Sequence, residues 1–165
     1  MERGTIVHSC WERFLSTGHP GNSGAYSDFV SILIKDPLWQ QLKPIALEHE
    51  LVDRQNWIAG KLDGLFYNKE TEETILIDLK TFKEKYDEEK GKWSKPSGSH
   101  RKQLGGYLDL LYINHPKLLV DKAMIVYSTQ RQVIYKTVTD VERIRGEYQL
   151  ARKAYFDNQR TLLDF

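Results

Sequence analysis

The sequence predicts an α/β domain with a central mixed β-sheet flanked by α-helices. Two observations predict it. Apolar residues recur at helical spacing near both ends of the chain and once in its middle. Between residues 44 and 81 three apolar runs are joined by short polar turns, which is the pattern of an antiparallel meander.

In order, residues 5–15 read as a helix with Val7, Trp11, Phe14 and Leu15 on one side. Thr17-Gly-His-Pro-Gly-Asn-Ser-Gly24 is dense in helix breakers and reads as a loop. A second helix is expected from about Tyr26 to Lys35, ending before Pro37. Strands are expected at Pro44–Val52, Trp57–Tyr67 and Thr74–Thr81, then an irregular polar stretch over 82–99. A helix from His100 to Asn114 follows, with Leu104, Leu108 and Leu111 as its core stripe. Lys122–Ser128 and Gln132–Val138 read as two further strands. Thr139 with Glu142 forms a capping-box signature. The last helix carries Val141, Ile144, Tyr148, Ala151 and Tyr155 along one side. The element order is ααβββαββα, and a mixed sheet between helices is its natural packing.

With 165 residues, no repeats and no linker, the chain reads as a single domain, 1–165. Its one cysteine, Cys10, rules out an internal disulfide and a thiolate-built zinc or iron–sulfur centre, so no cluster is expected. Cys10 is expected to be buried on a helix. No apolar run reaches the ~20 residues that span a bilayer. The start of the chain lacks a signal or transit peptide, which favours an intracellular setting over a mitochondrial matrix. The formal charge is +1, so a nucleic-acid surface must come from local clustering.

The chemistry centres on Gly60-Lys-Leu-Asp63, followed fifteen residues after the aspartate by Asp78-Leu-Lys80. Side chains alternate faces along a strand, so Ile75, Ile77 and Leu79 point one way and Asp78 and Lys80 the other. Asp63 lies across a short hairpin, so two carboxylates can meet. They repel unless a divalent cation joins them, and oxygen ligands suit Mg²⁺ or Mn²⁺. Lys80 on the same face can orient a water or stabilise charge on a phosphate. On the first strand Glu48 and Glu50 share one face, with Ile45, Leu47 and Leu51 on the other, so either glutamate could be a third acid.

Five segments together resemble the PD-(D/E)XK nuclease superfamily, specifically its RecB-like exonuclease branch. The likeness is nearest to the group formed by the mitochondrial genome maintenance exonuclease and its phage and bacterial relatives. The segments are Arg3-Gly-Thr-Ile-Val-His8, Ala46-Leu-Glu48, Ala59-Gly-Lys-Leu-Asp63, Leu76-Ile-Asp-Leu-Lys-Thr81 and Gln103-Leu-Gly-Gly-Tyr107. The resemblance implies a restriction-endonuclease-like core and Mg²⁺- or Mn²⁺-dependent cleavage of DNA with one or two ions. It implies metal binding at His8, Asp63, Asp78 and the backbone carbonyl of Leu79, with Glu48 joining or supporting that shell. It implies Lys80 as the catalytic lysine, and Gln103 and Tyr107 as lining the site or the DNA path.

Lys90, Lys92, Lys95, Arg101 and Lys102 fall in one stretch without acids, with Trp93 among them. Such a loop can grip phosphates and stack on a base, so Lys92, Trp93, Lys95, Arg101 and Lys102 are candidate DNA contacts. The basic residues of the last helix, Arg143, Arg145, Arg152 and Lys153, read instead as an exposed face. The expected activity is an exonuclease preferring single-stranded DNA ends, working in replication, recombination or repair with possible protein partners from those processes. The expected setting is the cytoplasm or nucleoid of a bacterial or phage-infected cell. A flap or junction endonuclease of the same fold, and an inactive nuclease-like DNA-binding module, are the alternatives.

Overall fold

The chain folds as a five-stranded mixed sheet between two helical layers, seen in a computed structural model that describes residues 2–163. The elements are α1 (Glu2–Thr17), α2 (Ser27–Ile34), the single-turn α3 (Leu38–Gln41), β1 (Leu42–Asp53), β2 (Ile58–Asn68) and β3 (Glu73–Thr81). Then come β4 (Tyr86–Asp87), β5 (Lys92–Trp93), α4 (Arg101–Asn114), β6 (Lys122–Ser128), β7 (Val133–Val138) and α5 (Val141–Leu163). The sheet order is β1-β2-β3-β6-β7. The β1–β2–β3 meander is antiparallel, β3 and β6 run parallel, and β7 returns antiparallel. The 82–99 stretch is not wholly irregular: β4 and β5 pair into a small separate ribbon.

Each helical layer covers its own apolar cluster. Under α1–α3 lie Val7, Trp11, Val30, Leu33 and Trp39, packed on Phe66, Ile75, Ile77 and Leu79. Trp11, Trp39 and Phe66 meet with ring centroids 5.3–6.0 Å apart, which pins α1 to β2. Cys10 is buried here, as expected. On the other face Leu104, Leu108 and Leu111 of α4 and Ile144 of α5 pack on Leu62, Leu65, Leu76 and Ile125. The expected alternation in β3 holds: Ile75, Ile77 and Leu79 belong to one cluster and Leu76 to the other.

In β1 the expected alternation fails. Leu47 packs towards α1, whereas Leu51 joins the α4 cluster and Ile45 is exposed. Glu48 between them has φ of 47°, a left-handed conformation rare for a side-chain-bearing residue, and it turns the strand over. β2 turns at the matching place. Leu62 faces α4, while a Cβ on Gly64 would meet Trp11 and Phe66 on the α1 side. The pairs Leu47↔Gly64 and His49↔Leu62 set Glu48 across from Asp63, so both strands break step at one spot.

Three more expectations need correction. The N-terminal cap of α5 is Asp140, whose Oδ1 accepts the Arg143 N–H at 3.1 Å, rather than the Thr139–Glu142 box. Tyr155 is exposed, because the buried side of α5 ends earlier. Arg145 and Arg152 do not form an exposed face. Both donate to the buried Asp109, at 3.2 and 2.7 Å, and Arg152 also approaches Asp53 at 3.6 Å.

Gly105 is where α4 touches α5 most closely: a Cβ there would overlap the backbone carbonyl of Ile144 and reach within 2.9 Å of Tyr148 Cβ. Gly105→Ala should therefore push α5 off α4 and destabilise the fold by about 1–3 kcal/mol, the cost of overpacking a dense core. Urea denaturation measures this, and an unchanged midpoint would mean that the helices are not in that contact.

Candidate metal centre

The site forms where β2 and β3 part. Their ladder runs from Asn68↔Glu73 up to Gly64↔Ile77 and stops one residue before Asp63 would face Asp78. There the Asp63 side chain takes over from the backbone: its Oδ2 accepts the Leu79 N–H at 2.7 Å. β1 and β2 stay paired with each other beyond this point and lean on α4. Gly60 permits this, because a Cβ there would come within 2.9 Å of Leu110 and 3.4 Å of Tyr107.

α1 supplies the next group. Val7 and Trp11 are fully buried, which fixes the helix and places His8 at the rim of the gap. The Arg3 guanidinium, donating to Thr81 Oγ1 at 3.3 Å and lying 5.2 Å from the Phe29 ring centre, ties the start of α1 to the end of β3. His8 Nε2 lies 2.8 Å from the Leu79 carbonyl. A carbonyl only accepts, so Nε2 carries the hydrogen and Nδ1 presents its lone pair to the gap. Nδ1 is 3.5 Å from Asp63 Oδ1 and 3.8 Å from Glu48 Oε1. The ligand atoms of His8, Glu48 and Asp63 all lie within 4.8 Å of one another.

Asp78 approaches from the other side. It is completely buried. Lys80 Nζ lies 2.9 Å from Oδ1 and 2.8 Å from Oδ2, but it is aligned to donate only to Oδ1. Oδ2 makes no aligned hydrogen bond, and its near neighbour is the same Lys80 ammonium. Burial raises the pKa of Asp78 above the ordinary carboxylate range, against the pull of Lys80. Asp63 is pushed up to about 6, first by burial; His8 opposes this, the charge of Asp78 adds to it, and the Leu79 N–H and Lys80 oppose it.

These features fit a divalent cation. Three lone-pair atoms converge, one buried carboxylate oxygen lacks an aligned hydrogen bond, and two acids are held at an electrostatic cost that a cation would relieve. The carboxylate oxygens suit Mn²⁺ or Mg²⁺, and the one imidazole favours Mn²⁺ of the two. A ligating histidine whose other N–H is fixed by a backbone carbonyl is a recurrent metal-site arrangement.

With the geometry in place, comparison with known proteins adds little. Neither a protein-family model nor a curated protein matches this sequence. A solved structure described as "Crystal structure of SSO0001" is similar at a TM-score of 0.38 and 15% identity, over 88% of this chain and 73% of that one. A likeness that remote bears on neither family nor activity.

Of the residues singled out from sequence, His8, Glu48 and Asp63 meet directly, and Asp78 with Lys80 stands on the next strand. Between the two glutamates, Glu48 reaches the centre and Glu50 is exposed beside Lys61. The Leu79 carbonyl orients His8. Gln103 donates to the Tyr107 hydroxyl at 2.9 Å, and Tyr107 senses the charges of Asp78, Asp63 and Glu48 from the α4 side.

The basic stretch is only partly as expected. Arg101 is paired with Glu147 at 3.2 Å, and Lys90 with Asp87 at 2.9 Å. Trp93 has one face covered by the Arg131 guanidinium, 3.8 Å from the ring centre. Lys92, Lys95 and Lys102 are exposed, and among the described residues no ion pair ties them down. Sequence reasoning missed Lys61, whose Nζ lies 2.6 Å from Glu48 Oε2. Its place inside the Gly60–Asp63 motif, opposite Glu50 on the neighbouring strand, was the available signal. The buried Glu84 was also missed; Thr129 and Gln132 donate to its carboxylate, anchoring the 82–99 stretch to the β6–β7 turn.

A pH dependence follows. A cation must displace the proton that Asp63 holds below about pH 6. Mn²⁺ affinity measured by calorimetry should fall as pH drops from 7 to 5, by up to about tenfold per unit for the one proton, and level off above 7. The metal-free fold has the opposite slope. Asp63 binds its proton more tightly folded than unfolded, so its contribution is full below its ordinary value and lost as pH rises through about 6. An affinity that does not change between pH 5 and 7 would contradict the assignment of Asp63 as a ligand.

Proposed function

We propose that this protein is a Mg²⁺- or Mn²⁺-dependent deoxyribonuclease of the PD-(D/E)XK superfamily, acting as an exonuclease on single-stranded DNA ends. One observation carries the reading. His8 Nδ1, Glu48 and Asp63 converge within 4.8 Å at the spot where the adjacent strand brings up Asp78 and Lys80. Four of the five segments that resemble the RecB-like branch supply all of these residues, and the fifth supplies Gln103 and Tyr107.

His8, Glu48, Asp63 and Asp78 would hold the ion. A bound Mg²⁺ or Mn²⁺ makes water a stronger acid and neutralises charge on a phosphate. The chain's own groups do the rest. The Leu79 carbonyl holds the His8 ring with Nδ1 facing inward. Asp63 keeps β2 and β3 apart by capping the Leu79 N–H, so the gap stays open. Lys80, one quarter exposed and anchored on Asp78, places a positive charge beside the reacting phosphate, where it can hold an attacking water or the charge that builds on phosphate oxygens. Tyr107, braced by Gln103, walls the α4 side. Lys92, Lys95 and Lys102 offer charges to a phosphate backbone without reading sequence. Work in DNA replication, recombination or repair inside a cell is the setting this activity suits. Among the described residues no helix is long and apolar enough to cross a membrane.

The test is a time course with Mg²⁺ or Mn²⁺ on end-labelled linear single strands, duplexes and a single-stranded circle. Linear single strands should be degraded fastest, the circle should survive, and EDTA should stop the reaction. Cutting of the circle would make the protein an endonuclease; DNA binding without any cleavage would make it a binding module. Asp78→Asn and Lys80→Met should each lower the rate by about 10²-fold or more while binding in Ca²⁺ persists.

A further inference from the structure

A second lysine belongs to this centre. Lys61 stands on β2 two residues before Asp63, and its ammonium is 2.6 Å from Glu48 Oε2. Glu48 turns its other oxygen, Oε1, towards His8 Nδ1. The two oxygens are therefore used differently: Lys61 holds the outer one and leaves the other facing the inner gap beside the His8 lone pair. Glu48 sits in a left-handed backbone conformation that turns β1 over, and such a conformation persists only where its surroundings fix it.

The surroundings of Lys61 set its role. It lines an open cleft of about 470 Å³ between α1 and the β1–β2 hairpin, together with Thr5, His8, Ser9, Glu12 and Glu48. Glu50 stands opposite it in the strand register. Three acids thus surround one ammonium outside the gap, while His8, Asp63 and one oxygen of Glu48 face inward. The side chain is about half exposed, at 53%. A long flexible lysine at a wet rim keeps its charge accessible to an anion. Lys80, the other lysine on the centre's carboxylates, is one quarter exposed and is held by the buried Asp78.

We infer that Lys61 serves as the centre's built-in second cation: it holds Glu48 as a one-oxygen ligand, so that one divalent ion binds, and it meets a DNA phosphate from the cleft side. The second half of this inference rests on the nuclease reading; the first half rests only on a metal binding at all. Lys61 is a positioning residue for Glu48 and a phosphate contact, and its ammonium stands where a second metal would otherwise have to neutralise these acids.

The experiment compares wild type, Lys61→Met and Lys61→Arg, each checked for an unchanged melting curve. Mn²⁺ binding is followed by calorimetry, and single-stranded oligonucleotide binding is followed in Ca²⁺. Wild type should take one equivalent of Mn²⁺. Lys61→Met should weaken oligonucleotide binding about tenfold, raise KM more than it lowers kcat, and lower the salt dependence of binding by about one phosphate contact. Lys61→Arg should restore all three, because it returns the charge. Two equivalents of Mn²⁺ in wild type, or Lys61→Met binding DNA as wild type does, would overturn the inference while leaving the nuclease reading in place. Wild type that binds Mn²⁺ but neither binds nor cuts DNA would remove the nuclease reading and the phosphate role, and would leave the one-ion arrangement standing.

Discussion

The architecture of the centre depends on one hydrogen bond, from the Leu79 N–H to Asp63 Oδ2. Two antiparallel strands would ordinarily continue their ladder through Asp63 and Asp78, and the gap would close. Instead a side chain accepts the hydrogen bond that the backbone of β2 would have taken, and the strands part without orphaning the N–H of a buried residue. Three consequences follow. The Leu79 carbonyl is left for His8. The β1–β2 hairpin leans towards α4, against Gly60. Asp63 itself is drawn into a buried place beside Asp78, and burial first, then the charge of Asp78, pushes its pKa up. An asparagine could reach Leu79 in the same way, but it would bring a donor group where the site gathers lone pairs.

The protein contains other buried acids, and their partners differ from those of Asp63 and Asp78. Asp109 accepts from Arg145, Gln149 and Arg152 at 2.6–3.2 Å, and both of its oxygens are engaged. Asp53 is held below its ordinary carboxylate pKa, chiefly by the Asn56 side chain that donates to it at 2.7 Å. These acids are neutralised and hydrogen-bonded by the fold, as a structural network must be to be tolerated. Asp78 keeps an oxygen without an aligned hydrogen bond, and Asp63 is held well above its ordinary range. Burial holds the pKa values of Asp63 and Asp78 up, and a bound cation would relieve that cost. Under-neutralised acids of this kind concentrate at functional sites.

Much of the fold was legible in the sequence, because it rests on simple periodicities. The core stripes of α1 and α4 and the alternation of β3 emerge directly from spacing, as Val7, Trp11, Leu104, Leu108, Ile75 and Ile77 illustrate. The failures have physical causes. Counting by twos cannot foresee that Glu48 takes a positive φ, so Leu47 and Leu51 were placed on one face and lie on two. Arg145 and Arg152 looked solvated beside Glu142 and Glu147. What draws them inward is Asp109, more than thirty residues away in sequence, which no local pattern reveals. Of the centre, Asp63, Asp78 and Lys80 were legible from the strand pattern, and His8 from its place after Arg3-Gly4-Thr5. Lys61 was not, since its partner lies on another strand at a point where the alternation breaks.

The central claim is that the parted strands hold a divalent cation. A crystal grown with Mn²⁺ and measured at the manganese absorption edge tests it most directly, because the anomalous signal locates the ion without reference to activity. The account predicts one strong peak within bonding distance of His8 Nδ1, Asp63 and Glu48 Oε1, with Asp78 Oδ2 directed at it. The absence of a peak there, with His8 still facing the two carboxylates, would contradict the account.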